Sequence, residues 1–215
     1  MSWGVGMVGY NRDVLKNRQQ QADLKDIFLV LASGSRYRAE LLARLGIPFE
    51  RWSPDVDEAA LPGEPCAGTA RRLARAKAEA ALARFPGAWV IGSDQVADLD
   101  GRPIGKPGHR DAARAQLQAM RGRTVVFHTA LCLVAHGRAR EAVVPTEVVF
   151  RDLGDDEIER YLDREPAFDC AGSAKSEGLG ITLLDRLTGD DPTALVGLPL
   201  VALSAMLREA GARLP

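Results

Sequence analysis

The sequence predicts an α/β sandwich, with helices packed on a mixed sheet. Three observations predict it. Short apolar runs without helical period alternate along the chain with longer segments that carry one apolar face. Strand and helix signals are interleaved from end to end, and no repeat, linker or low-complexity tract divides them. The chain has 215 residues, 46% of them hydrophobic, which is enough for one large domain or two closely joined lobes.

Residues 1–26 read as a loose N-terminal extension. Arg12, Lys16, Arg18 and Asp23 surround a Gln19-Gln20-Gln21 run, and no apolar core of a signal peptide is present. The domain is read as 27–215. It opens on the apolar strand Phe28-Leu29-Val30-Leu31, the small-residue loop Ala32-Ser33-Gly34-Ser35, and a helix from Arg36 to Leu45. Leu41, Leu42 and Leu45 form that helix's apolar face, and Gly46 and Pro48 end it. A strand, a small-residue loop and a helix make a recurrent phosphate-binding arrangement, because the helix N-terminus presents unpaired N–H groups. Taken alone, the same pattern also fits a plain connector.

Pro54 to Pro65 reads as an acidic, proline-containing loop. The spacing then predicts a helix over Thr69–Phe85, with Leu73, Ala76, Ala80 and Leu82 facing inward. Ala88-Trp89-Val90-Ile91 is a strand leading into Gly92-Ser93-Asp94-Gln95, and Asp100-Gly101 predicts a tight turn back towards Ile104. Residues Asp111–Met120 read as helix. Val125–Val134 and Arg140–Phe150 read as two long strands joined near His136-Gly137. Asp155 or Asp156 is placed to cap a helix running to Arg164. A Gly/Ser-rich segment over Cys170–Gly180, a strand over Ile181–Leu184 and a helix over Pro199–Ala210 complete the order.

A net charge of −1 gives no global field to attract nucleic acid or an anionic membrane, so a polyanionic substrate needs a local cluster of cations. Cys66, Cys132 and Cys170 lie far apart, with neither zinc spacing nor a disulfide framework, which points to a reducing compartment and the cytoplasm. No apolar run approaches the ~20 residues of a membrane span.

Polar and charged side chains cluster where apolar elements end: Ser33, Ser35, Arg36 and Arg38 at the first loop, and Asp55, Asp57 and Glu58 on the acidic loop. Lys77, Lys106, Lys175 and Glu177 extend the set. Each could be an ordinary solvated residue. Asp94 stands apart, because it follows Trp-Val-Ile-Gly directly, and a carboxylate at the end of a buried strand costs several kcal/mol unless paired or metal-bound. His109, His128 and His136 share no ligand spacing, and neither a Gly-x-Ser-x-Gly elbow nor a Walker loop is present. Carboxylates with Lys and Arg remain, the inventory of metal-assisted phosphoryl chemistry.

The block from Leu31 to Arg38 (Leu-Ala-Ser-Gly-Ser-Arg-Tyr-Arg), followed by Glu-Leu-Leu, resembles the opening signature of the Maf family of nucleotide pyrophosphatases. Six further blocks follow in the family's order: Asp57-Glu58, Arg75-Ala-Lys77-Ala, Gly92-Ser-Asp94-Gln, Gly105-Lys106-Pro107, Cys170-Ala-Gly172 and Val196-Gly-Leu-Pro199. The resemblance runs from Phe28 to about Gly211. It implies two lobes around a central cleft, as in inosine-triphosphatase-like folds, often as a homodimer. It also implies a divalent-metal-dependent (magnesium or manganese) release of pyrophosphate from a nucleotide. Residue by residue, Ser33, Arg38, Lys77 and Lys106 would bind phosphate, Glu58 and Asp94 would hold the metal, and Asp94 would be the proton acceptor.

Tyr37, Gln95 and Glu177 fall at the family's substrate-selecting positions and resemble the set of its 7-methyl-GTP-preferring group. Methylation at N7 makes guanine cationic, which an aromatic face attracts. The base's two adjacent N–H donors suit one carboxylate, here Glu177. Two alternatives stand beside this: a house-cleaning pyrophosphatase for other modified or pyrimidine nucleotides, and a division-linked regulator with little catalysis.

Overall fold

In the computed structural model, which describes residues 22–215, the first apolar run forms β1 (Leu29–Ala32) with all four residues buried. Burial on both faces follows from its place inside a parallel layer covered by helices. β1 pairs in parallel with β2 (Phe49–Trp52) on one side and with β3 (Trp89–Leu99) on the other. β2 is absent from the sequence reading. It is four residues long, follows Pro48 and forms a sheet edge, so it shows no apolar alternation.

On its other side β3 pairs antiparallel, from Val90 to Asp98, with β5 (Thr124–Ala135), which pairs with β6 (Arg138–Phe150) and that in turn with β7 (Leu184–Gly189). The seven-stranded sheet has the order β2-β1-β3-β5-β6-β7, with β4 (Arg102–Ile104) folded back on β3. The expected Asp100-Gly101 turn is present, with φ of 51° and 80°, the double left-handed geometry that suits a two-residue hairpin. One strand lies elsewhere than expected. Residues Leu179–Leu183 form a 3-10 turn, and β7 follows from Leu184 to Gly189. The apolar residues before it drew the reading, whereas β7 itself is an exposed edge.

Among the described residues five α-helices pack on the sheet: α1 (Arg36–Ala43), α2 (Cys66–Arg84), α3 (Arg110–Met120), α4 (Asp155–Arg164) and α5 (Leu200–Glu209). Alternation along β1 divides the core. Leu29 and Leu31 meet α1 and α5 through Leu41, Leu42, Leu203 and Leu207. Val30 and Ala32 meet α2 through Ala70, Ala74, Ala78 and Ala81. The far halves of β3, β5 and β6 enter another core with α3 and α4, around Phe127, Leu117, Ile158 and Phe150.

Helix details depart from expectation in two places. α2 buries Thr69, Leu73, Ala74, Lys77, Ala78 and Ala81, so its inward stripe includes Lys77, while Ala76, Ala80 and Leu82 are only partly covered. α4 is capped from Gly154, whose N–H donates to the Glu157 carboxylate at 2.9 Å, with Asp155 and Asp156 inside the first turn. The described part of the expected extension is tied to the domain. Ala22 N–H donates to Gly211 O at 3.0 Å, Arg213 N–H donates to Ala22 O at 3.2 Å, and Leu24 packs on the core. The rest of that extension, 1–21, lies outside the described residues. Among the described residues no helix is long and apolar enough to cross a membrane.

Candidate active site

The loop between β1 and α1 forms one end of a cleft of about 610 Å³. Ser35 caps α1, its Oγ accepting from Arg38 N–H at 3.4 Å. Buried Ser33 accepts from Ser35 N–H at 3.2 Å and from Arg38 Nη1 at 3.3 Å. Arg38 Nε donates to Gly197 O at 2.9 Å, which leaves Nη2 for a ligand. Burial pushes the Arg38 guanidinium below its ordinary pKa, and the charges of Asp94 and Glu58 oppose that shift. Oriented N–H groups, a hydroxyl and a guanidinium meet here, a set suited to phosphate oxygens.

A glycine sets the acidic end. A Cβ at Gly92 would lie 2.0 Å from Ala74 O, so only glycine lets α2 approach β3 this closely. The contact brings Lys77 against Asp94, one residue beyond Ser93. Lys77 is 7% exposed and Asp94 8%, and Lys77 Nζ donates to Asp94 Oδ1 at 2.6 Å. The same ammonium lies 2.6 Å from Glu58 Oε1 on the acidic loop, whose side chain is 61% exposed. The hydrogen bond from Lys77 holds the Glu58 carboxyl below the usual range against partial desolvation, with help from the charges of Lys77, Lys106 and Arg38. Glu58, Lys77 and Lys106 line the cleft, and Asp94 reaches it through Lys77. Asp55 and Asp57 stay exposed and do not line it.

Tyr37, Gln95 and Glu177 also line the cleft. Gln95 Nε2 donates to Thr129 Oγ1 at 2.8 Å, Leu195 O at 3.0 Å and Ala194 O at 3.1 Å, so its amide is fixed. Glu177 is exposed at the cleft wall. Tyr37 is less free than the sequence implies. The Arg36 guanidinium lies 4.7 Å from its ring centroid and Lys175 Nζ 6.0 Å, and its hydroxyl donates to Asp169 at 3.3 Å. A base stacking on the face that Arg36 covers would compete with its guanidinium.

The cleft thus contains or adjoins every expected residue: Ser33, Tyr37, Arg38, Glu58, Lys77, Asp94, Gln95, Lys106 and Glu177. Sequence reasoning gave no role to Thr129, Asp169 and residues 191–195, which act as hydrogen-bond partners with no local signature, nor to Ser93 and Gly197, which it quoted only as parts of matched blocks. The histidines serve elsewhere: His109 caps α3, His128 meets Asp98, and His136 packs edge-on to Trp89.

A family profile described as "Maf-like protein" matches residues 28–210. A protein of Xanthomonas oryzae pv. oryzae named 7-methyl-GTP pyrophosphatase is 59% identical over 187 residues, covering 87% of this chain and 98% of its own length. One of the same name from Aromatoleum aromaticum is 62% identical, over 87% and 97% of the two chains. Another, from Cupriavidus metallidurans, is 60% identical, over 85% and 93%. With the fold, the cleft and these similarities together, the chain belongs to the Maf family.

Proposed function

We propose that this protein is a nucleoside triphosphate pyrophosphatase that hydrolyses the α–β phosphoanhydride of 7-methyl-GTP to the monophosphate and pyrophosphate. The observation that carries this reading is the convergence, in one cleft, of Ser33, Arg38, Lys77 and Lys106 with the carboxylates Glu58 and Asp94. Relatives about 60% identical, all named 7-methyl-GTP pyrophosphatase, support it.

In this reading the phosphates lie against the α1 N-terminus, with Arg38 and Ser33 on their oxygens and Lys106 across the cleft. Asp94 gives Oδ1 to Lys77, or to the cation that would take the ammonium's place, and keeps Oδ2 for the attacking water, whose proton it accepts. Lys77 and Arg38 offset the charge that develops as the anhydride breaks. Glu58 and Asp94 converge on one point, and their oxygens suit a hard cation that takes one or two carboxylates and completes its shell with water and phosphate. Among the described residues no group of three or more acidic, histidine or cysteine side chains joins to hold a metal, so nucleotide phosphates would complete the shell. Those two residues would hold magnesium or manganese, which would supply charge neutralisation at the phosphates. On the base side Glu177 accepts the paired guanine N–H donors and faces the cationic ring. The three unpaired cysteines, all with thiols pushed above their ordinary pKa by burial, accord with the cytoplasm.

The test is pyrophosphate release from a panel of 7-methyl-GTP, GTP, ITP, UTP and dTTP with magnesium, manganese or EDTA. The expected pattern is monophosphate plus pyrophosphate, metal dependence and a preference for 7-methyl-GTP. Release of free phosphate with the diphosphate, or a preference for UTP or dTTP, would refute it.

A further inference from the structure

Between β7 and α5 the chain has no regular structure, yet its carbonyls receive the polar side chains of the cleft. Gly197 O accepts from Arg38 Nε at 2.9 Å and from the fully buried Ser93 hydroxyl at 3.0 Å. Ala194 O accepts from Thr129 Oγ1 at 2.9 Å and Gln95 Nε2 at 3.1 Å, and Leu195 O accepts from Gln95 at 3.0 Å. Gly197 has a φ of 119°, which side chains rarely adopt, and a Cβ there would stand 3.4 Å from Arg38 Nε.

Two residues outside the cleft aim these carbonyls. Asp191 is 4% exposed, and both of its carboxylate oxygens accept backbone N–H groups. Its Oδ1 accepts from Thr193 N–H at 3.0 Å and lies 2.7 Å from Thr193 Oγ1. Its Oδ2 accepts from Val201 N–H at 2.7 Å and Ala202 N–H at 3.3 Å. These are open donors of the α5 N-terminus, where the N-cap, Pro199, has no side-chain acceptor. Thr193 Oγ1 also accepts from Leu200 N–H at 2.8 Å and reaches Leu198 O at 2.8 Å. The turn is therefore clamped at both ends to one helix terminus.

We propose that Asp191 and Thr193 are positioning residues: they clamp the 194–197 turn on the α5 N-terminus and, through its carbonyls, set Arg38 on the phosphate side and Gln95 on the base side. The inference rests on the pyrophosphatase reading for its rate readout only. Arg38 reaches the phosphates through its Nη atoms because Gly197 O holds its Nε, so a loosened turn lets the guanidinium swing. Small displacements of a binding group cost rate without touching the chemistry.

The test is a double-mutant cycle. Thr193→Val keeps the shape and removes the hydroxyl, and Thr193→Ser restores it. Thr193→Val should lower kcat/KM about tenfold with Arg38 present and about twofold or less in Arg38→Ala, because residues acting through one another are not additive. Thr193→Ser should stay within about twofold of the parent. Gly197→Ala, which crowds Arg38 directly, should show the same non-additivity and serves if Thr193→Val does not fold. Circular dichroism at the assay temperature confirms that each variant compared is folded. The same cycle is read as Kd for α,β-methylene-GTP by calorimetry, so a wild type that releases no pyrophosphate ends the functional reading while the clamp is still decided. Equal losses in both backgrounds, or no loss with Arg38 intact, overturn the clamp.

Discussion

Replacing Lys77 by Met keeps the length of the side chain and removes the ammonium that touches Asp94 and Glu58 at 2.6 Å each. The two carboxylates then fare differently. Glu58 is 61% exposed and turns to water at little cost. The Asp94 side chain is 11% exposed and has nowhere to go. Breaking a buried pair by removing one partner costs about 3–5 kcal/mol, and the residual exposure of Asp94 argues for the lower end. For a chain of this size about 1 kcal/mol moves Tm by roughly 2–4 °C, so Lys77→Met should lose about 6–12 °C in EDTA. Asp94→Asn should cost less, because the amide oxygen still accepts from Lys77, yet turnover should fall about 100-fold or more with the loss of the proton acceptor. The double variant leaves no buried charge and should regain at least half the lost Tm while remaining inactive. Magnesium should raise the Tm of Lys77→Met more than that of wild type, since the ion then meets two carboxylates without a competing ammonium. Thermal unfolding with EDTA and with magnesium, beside pyrophosphate release, reads all of this. The reasoning fails if Lys77→Met melts with the wild type in EDTA, or if the double variant is no more stable than Lys77→Met.

Glu177→Gln should reduce kcat/KM for 7-methyl-GTP by about 10- to 150-fold relative to UTP, because the amide aims a donor at a guanine donor. Lys106→Ala should slow both substrates alike, and equal losses from Glu177→Gln would refute the base contact. Hydrogen bonds from Arg72 hold the Glu64 carboxyl at about 2, below its ordinary 4.5. With the folded pKa depressed, its stabilisation is complete above about 4.5 and lost as pH falls through about 2. Urea midpoints of wild type and Glu64→Gln should therefore differ at neutral pH and converge in acid, and a pH-independent gap would exclude the ion pair as the cause. Deleting 1–26 should lower Tm further than deleting 1–21, because it also removes the Ala22 bridge and the Leu24 contact. Two backbone hydrogen bonds at about 1 kcal/mol each make that loss roughly 4–8 °C, and equal melting of the two truncations would show that the bridge contributes nothing.

The order of strands and helices was legible because most elements bury a face and so carry a period. β2 and β7 were not, since both are short edge strands whose middle residues are exposed and whose apolar residues do not alternate. The inward stripe of α2 was misphased because alanine occupies every side of that helix: Ala76 and Ala80 are chemically indistinguishable from Ala74 and Ala78. What resolves the phase is Gly92 on the facing strand, a long-range fact. The same misreading hid the burial of Lys77, which the sequence presents as one more charge on a long helix. Asp94 was legible, since an apolar strand ending in a carboxylate implies a partner. The 191–197 loop was not, because its part is played by carbonyl oxygens, which have no letter in the sequence.

The charges in the cleft give a physical reason for the proposed cation. On the phosphate side alone, Arg38, Lys77 and Lys106 face Glu58 and Asp94, three cations against two carboxylates, which leaves one positive charge there for a triphosphate that carries more than one negative, and Arg36, Asp169 and Glu177 elsewhere in the lining add no net cation. Lys77 is also held by both carboxylates, so its field at the phosphates is largely spent locally. A divalent ion taken up by those carboxylates would release the ammonium and add its own charge, changing the balance at the scissile anhydride in two ways at once. The two cationic devices are therefore coupled through one acidic pair. Glu58 can follow the ion because its loop is exposed, while Asp94 stays fixed by the α2–β3 contact at Gly92. One rigid carboxylate and one adjustable one would let a single site hold the ammonium at rest and the proposed metal–phosphate complex when substrate arrives.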